Sequence, residues 1–148
     1  MEVNKINSIR NMFIDALGVP DDDNKLIEYL TFVVNYSTTE EDIEYSEKHH
    51  ILPRAIFKQY VNDSWNIVDL AYPDHVFAHE LLAQAYKIRK FIRTLNFMNS
   101  KLSKNPEILS IASKKGWINL KNNKEAYEKW RENKILQMSQ LSSKDQSN

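Results

Sequence analysis

Residues 44–82 read EYSEKHHILPRAIFKQYVNDSWNIVDLAYPDHVFAHELL, and the fold turns on this stretch. Residues 44–51 predict a short strand ending in His49-His50-Ile51, and Pro53 stops it because proline cannot donate to a ladder. Asn66-Ile67-Val68-Asp69-Leu70 clusters β-branched residues and predicts a second short strand. Residues 54–64 read as a loop with a turn of helix around Ala55–Tyr60. Pro73 stands where a helix's first position belongs. From there Val76, Leu81, Leu82, Ala85, Ile88 and Ile92 supply one apolar side of a helix running to about Leu95. The unit is strand, loop, strand, helix.

The flanks are helical by their spacing. Ile6, Ile9, Phe13, Ile14 and Leu17 predict a helix over 5–17, ended by Gly18-Val19-Pro20. Asp21, Asp22 and Asp23 offer capping carboxylates to a second helix over about 22–36. Thr38–Asp42 is a polar connection. Asn99–Asn105 reads as a polar break, followed by helices over about 106–114 and 123–138 and a polar, frayed tail. Two glycines and four prolines in 148 residues argue against a turn-dense β fold. The fold class expected is mainly α with a small two-stranded core, α+β. The expected organisation is an acidic helical segment (1–42) packed on a core (43–96), a basic helical arm (97–138) and a disordered tail (139–148).

Composition excludes several chemistries. With no cysteine there is no disulfide framework, thiolate zinc site, iron–sulfur cluster or cysteine nucleophile. With two glycines there is no Gly-rich phosphate loop. Apolar runs fall far short of the ~18 residues that span a bilayer, so no membrane partner is expected. The N-terminal MEVNKINSIRNMF is polar where a signal peptide needs an apolar core, which points to a cytoplasmic location. The net charge is zero, yet residues 1–47 balance to −8 and residues 86–148 to +9. Either the basic end meets a polyanion or the two ends neutralise each other across the fold.

All four histidines, His49, His50, His75 and His79, fall within 31 residues. His75 and His79 are four apart on a helix, so both imidazoles share one face and can share one metal ion. His49 and His50 are neighbours on a strand and point to opposite sides. One of them can join the metal while the other stays free. Three ligands leave a coordination position open, and a free histidine titrates near neutrality and can take a proton from water. Metal and base together are the parts that phosphodiester hydrolysis requires.

Glu47-x-His49-His50-Ile51-x-Pro53-Arg54, then Asn66-x-Val68-x-Leu70, then His75-x-x-Ala78-His79-x-Leu81-Leu82 resembles the HNH endonuclease motif, the ββα-metal or His-Me finger. The form is similar to phage-encoded HNH enzymes, including free-standing homing endonucleases, and covers about residues 45–83. The resemblance implies a metal-dependent DNA endonuclease with one divalent ion (Mg2+, Mn2+ or Zn2+), acting as a monomer that nicks or a homodimer that cuts both strands. By the same resemblance His50 is the general base, and Asn66 is the structural Asn that holds the base's surroundings. His49, His75 and His79 are the metal ligands, and Arg54 is a phosphate contact. Relatives commonly place a Gly-Gly turn after that Arg. Here Ala55-Ile56-Phe57-Lys58-Gln59-Tyr60 stands instead, so a more helical connection is expected.

Ser113-Lys114-Lys115-Gly116-Trp117 and Ala126-Tyr127-Glu128-Lys129-Trp130 resemble Lys- and Trp-containing helices that follow the core in such enzymes. Lys114, Lys115 and Lys121 are thus candidate DNA contacts. Bland readings stand beside these. Arg54 equally suits a surface pair with Glu47 or Asp63. Glu47 and Asp69 read as solvated charge, and the cations from Lys87 to Arg93 as a solvated helix face. Trp65, Phe77, Tyr86, Phe91 and Phe97 read as core. The alternative functions are a non-catalytic DNA-binding or interaction protein with a structural metal, and an RNA-directed nuclease.

Overall fold

The computed structural model describes residues 2–36, 45–114 and 116–147, with side chains described for 4–36, 45–101, 104–110 and 116–138. Helices α1 (Glu2–Leu17) and α2 (Asp23–Val34) precede strand β1 (Ser46–His50). Two 3-10 turns, Lys58–Tyr60 and Ser64–Asn66, lead to β2 (Ile67–Ala71). Helices α3 (Tyr72–Ala85), α4 (Arg89–Lys104), α5 (Pro106–Lys114), α6 (Trp117–Asn122) and α7 (Lys124–Ser147) complete the chain. The protein is mostly helical around one small antiparallel sheet, with His49 opposite Val68 and His50 opposite Ile67. The connection expected at Thr38–Asp42 lies outside the described residues.

Local chemistry explains the ends. Gly18 adopts φ +85, a left-handed conformation that costs glycine little, and closes α1 with a bond from its N–H to the Ile14 carbonyl. Asp22 caps α2 by accepting from the Lys25 N–H at 3.2 Å. Arg10 of α1 donates to both oxygens of Asp23, at 2.9 and 2.8 Å, and ties the first two helices together.

The main core joins Ile9 and Phe13 of α1, Leu26, Tyr29, Leu30, Phe32 and Val33 of α2, and Phe77, Ala78, Leu81 and Leu82 of α3. Met138 of α7 belongs to it as well, with Trp130 and Ile135 packed alongside. A second cluster gathers Tyr72, Val76, Met98, Ile108 and Trp117. These two faces of α3 clamp the strand pair against it and fix where the histidines meet.

The structure departs from the periodicity at four places. The helix expected from Pro73 to about Leu95 is two helices, because Tyr86 turns extended (φ −131, ψ 107) at the end of α3. The turn is held from outside: the Asp22 N–H donates to the Ala85 carbonyl, the Lys87 N–H to Asp21 Oδ2, and the Tyr86 hydroxyl to the Gly18 carbonyl. The polar break at Asn99–Asn105 is helical to Lys104, and Asn105 instead caps α5, its Oδ1 accepting from the Ile108 N–H. Helix α7 runs to Ser147 rather than ending near 138, so the backbone expected to be disordered over 139–148 is helical as far as that residue. Helix α6, between Gly116 and Asn123, has no counterpart in the sequence reading.

The charge asymmetry is partly settled inside the fold. Lys101 pairs with Glu47, Lys134 with Asp74, and Lys121 and Arg131 with Glu80. Four cations of the basic stretch are thus turned onto inward-facing carboxylates. No helix among the described residues is long and apolar enough to cross a membrane.

Candidate active site

Strand alternation sorts the site. Glu47 and His49 lie two apart on β1 and face α3, whereas Lys48 and His50 take the other side. His75 and His79, one turn apart on α3, meet His49 across the interface. Ligand nitrogens of His49, His75 and His79 all lie within 4.8 Å of one another. Their three ring centroids are 4.8 to 5.1 Å apart, so the rings surround one point.

Hydrogen bonds from behind decide which nitrogen of His49 and of His75 faces that point. The Tyr29 hydroxyl donates to the Ile51 carbonyl at 2.7 Å, so its oxygen must accept from His49 Nε2–H, also at 2.7 Å. That leaves the lone pair of His49 on Nδ1. His75 Nδ1–H donates to Glu47 Oε1 at 3.0 Å and leaves the lone pair on Nε2. His75 Nε2 and His79 Nε2 are 3.1 Å apart. Two nitrogens bound at about 2.05 Å to one tetrahedral zinc stand about 3.3 Å apart. The donor set and its spacing therefore fit a divalent metal with an open position, and the carboxylate–histidine pair is the support such ligands commonly have.

Burial favours the neutral form of two of the three rings. Burial, then the neighbouring His79, His75 and His50, hold His49 well below its usual 6.5. Burial, then His75, lowers His79 to about 3. Glu47 is desolvated, which alone would raise its pKa, but hydrogen bonds from His75, Lys101 and Tyr45 outweigh this and hold it at about 2. Glu47 is therefore no solvated charge: its side chain is 11% exposed, and Lys101 Nζ donates to its Oε2 at 2.7 Å.

His50 is built differently. Its Nε2 lies 3.0 Å from the Val61 carbonyl, which can only accept, so the proton sits on Nε2 and Nδ1 keeps a free lone pair. Asn66 is wholly buried and pins the connection that carries Val61. Its Oδ1 accepts from the Leu52 N–H at 2.7 Å, and its Nδ2 donates to the carbonyls of Leu52 and Tyr60 at 3.3 and 3.1 Å. Asn66 thus acts on His50 through the loop. The expected helical turn in that loop is the 3-10 turn Lys58–Tyr60.

All four histidines line one cleft of about 510 Å³, together with Lys48, Arg54, Lys90 and Thr94. No carboxylate lines it among the described residues. Arg54 is brought to the histidines and pairs with neither Glu47 nor Asp63. Lys121 is turned onto Glu80 and lies over the Tyr127 ring at 4.1 Å, so its ammonium has an internal partner. The Lys114 side chain and Lys115 lie outside the described residues. Trp117 is buried against Tyr72, and Trp130 packs on Phe77 and Tyr127. Phe77, Tyr86 and Phe91 are core as expected, whereas Trp65 and Phe97 are exposed.

Sequence reasoning missed Tyr29, Glu47 and Lys101. Glu47 carried a usable signal, because two residues before His49 on a strand is the same face. Tyr29 carried none, since α2 meets β1 only in the tertiary fold. The chain matches no protein-family model, no curated protein and no solved structure.

Proposed function

We propose that this cleft is the active site of a metal-dependent endonuclease of the HNH kind, hydrolysing phosphodiester bonds of DNA. The observation that carries the reading is the division of labour among four histidines in one cleft lined by no carboxylate among the described residues. Ring nitrogens of three histidines converge within 4.8 Å of one another, and the fourth ring is anchored from behind through Nε2, which leaves Nδ1 for proton transfer. A site that only staples the fold has no use for that fourth ring.

A divalent metal held by His49, His75 and His79 would act as a Lewis acid on the phosphate and its leaving oxygen. His50 Nδ1 takes a proton from water as the water oxygen bonds to phosphorus and the bond to the 3′-oxygen breaks. The ends are a 5′-phosphate and, once the leaving oxygen gains a proton from solvent, a 3′-hydroxyl. The Val61 carbonyl stabilises the imidazolium of His50 by accepting from Nε2–H. Arg54 meets phosphate oxygens from the cleft wall. Tyr29 and Glu47 orient the ligands, and Asn66 orients the loop.

The test is a plasmid-relaxation assay on wild type and His50→Ala with magnesium, manganese or zinc, and with chelator. Wild type is expected to convert supercoiled DNA to open-circle or linear form only with metal. His50→Ala, folded and metal-loaded, is expected to be about 10²- to 10⁴-fold slower. Equal rates for the two proteins exclude His50 as the base, and inertness of both with every metal excludes DNA cleavage.

A further inference from the structure

Helix α4 carries a stripe that the nuclease core does not account for. Lys90, Thr94, Phe97 and Lys101 recur at steps of four, three and four, which places them on one helical face. The two ends of the stripe are anchored at the site. Lys90 and Thr94 line the cleft beside the four histidines. Lys101 donates to Glu47, whose other oxygen holds His75. Phe97 lies between them on the same face and is 60% exposed. Met98, one residue on, is buried, and its carbonyl accepts from the Tyr72 hydroxyl at 2.8 Å, so the helix is firmly seated on α3. The exposure of Phe97 is therefore not the looseness of an unpacked segment. The Lys101 ammonium lies 5.6 Å from its ring centroid.

An exposed aromatic ring beside a cation-lined cleft, free of carboxylates among the described residues, has the chemistry of a base-stacking platform: cations track the phosphates and a ring meets a base. Lys90 makes no ion pair among the described residues, so its charge is available. The Thr94 hydroxyl donates to the Lys90 carbonyl at 2.9 Å, and Lys90 and Phe97 stand about two turns, or roughly 10 Å, apart along the axis. A ring at that distance reaches a base one or two nucleotides from a phosphate held at Lys90.

We propose that α4 guides the substrate strand: Lys90 holds a phosphate oxygen flanking the reacting phosphate, and Phe97 stacks on an adjoining base of DNA. The proposal rests on the nuclease reading of the cleft and adds an element that the four-histidine motif does not contain.

The test compares wild type, Phe97→Ala, Phe97→Trp and Lys90→Ala, each as the full chain. Phe97→Ala is expected to lower kcat/KM on plasmid DNA about tenfold, with melting temperature and zinc affinity at wild-type values. Phe97→Trp is expected to keep cleavage. With chelator present, so that no turnover occurs, an oligonucleotide duplex should quench its added indole fluorescence beyond the quench seen in wild type. Lys90→Ala should weaken oligonucleotide binding and make its salt dependence shallower by about one ion. If wild type cuts DNA and Phe97→Ala cuts at the same rate, with no extra quench in Phe97→Trp, the stacking role is overturned and the nuclease reading stands. If metal-loaded, folded wild type cuts no DNA at all, the nuclease reading itself fails and the role of α4 falls with it.

Discussion

Replacing Tyr29 with phenylalanine removes a single oxygen, yet that oxygen closes two buried hydrogen bonds. Its proton goes to the Ile51 carbonyl at 2.7 Å, and its lone pair receives His49 Nε2–H at the same distance. Tyr29 is fully buried and His49 is 2% exposed, so water has little access to replace either bond. Burial keeps the hydroxyl protonated, its pKa raised well above 10. An unsatisfied buried donor or acceptor costs about 1–3 kcal/mol. Two orphaned groups give about 2–6 kcal/mol of lost stability, or about 5–20 °C in melting temperature for a domain of this size. The more telling effect is on the metal. Without its partner, Nε2–H no longer fixes which nitrogen of His49 faces His75 and His79, and losing such a support costs about 10- to 100-fold in metal affinity. The assay is zinc titration against a chromophoric competitor, paired with thermal unfolding. Tyr86→Phe is the control, since its hydroxyl donates to the Gly18 carbonyl in the α1–α2 connection. It should cost about 1 kcal/mol and leave zinc affinity unchanged. If Tyr29→Phe binds zinc as tightly as wild type, the assignment of His49 Nδ1 as a ligand is wrong.

Other expectations follow from the same geometry. Glu47→Gln keeps the shape but loses the charge shared by His75 and Lys101, and should weaken zinc binding about 10- to 100-fold in the same competition assay; unchanged affinity refutes the support role. His49 and His79 have pKa values lowered by folding, so the unfolded chain binds more protons between about pH 6.5 and 3 and the metal-free fold weakens as pH falls through that window. Urea midpoints of chelator-treated protein should be lower at pH 5 than at pH 7, a range above the one in which Glu47 titrates, and equal midpoints contradict the neutral-imidazole picture. Asn66→Asp keeps the acceptor for the Leu52 N–H but sets a carboxylate against the Leu52 and Tyr60 carbonyls. It should destabilise by about 2–4 kcal/mol in urea and slow cleavage even in protein shown to be folded by circular dichroism. Chelation should silence cleavage while leaving helical circular dichroism intact, because the main core is packed without help from the metal site; unfolding on chelation would recast the metal as a staple.

Sequence alone determined the local parts. The 3.6-residue spacing of Ile9, Phe13, Leu26 and Leu30 defines α1 and α2, and the β-branched run after Asn66 defines β2. His75 and His79 share a face because a helix repeats that way, and His49 and His50 part because a strand alternates. These readings need only neighbours within one element. Tertiary structure decided whatever depends on a second element. The break between α3 and α4 has no glycine or proline to announce it, and exists because Asp21, Asp22 and Gly18 bond to residues 85–87. Glu47 became a histidine partner because α3 and α4 close over it and remove its water. Lys121 turned onto Glu80, although its place in a basic run suggested a phosphate contact. The tautomer of His49 hangs on Tyr29, twenty residues away in the chain. Periodicity records which face a side chain takes on its own element, whereas burial, protonation and partner choice depend on what packs against that face, and this chain sets those only when the helices close on the strand pair.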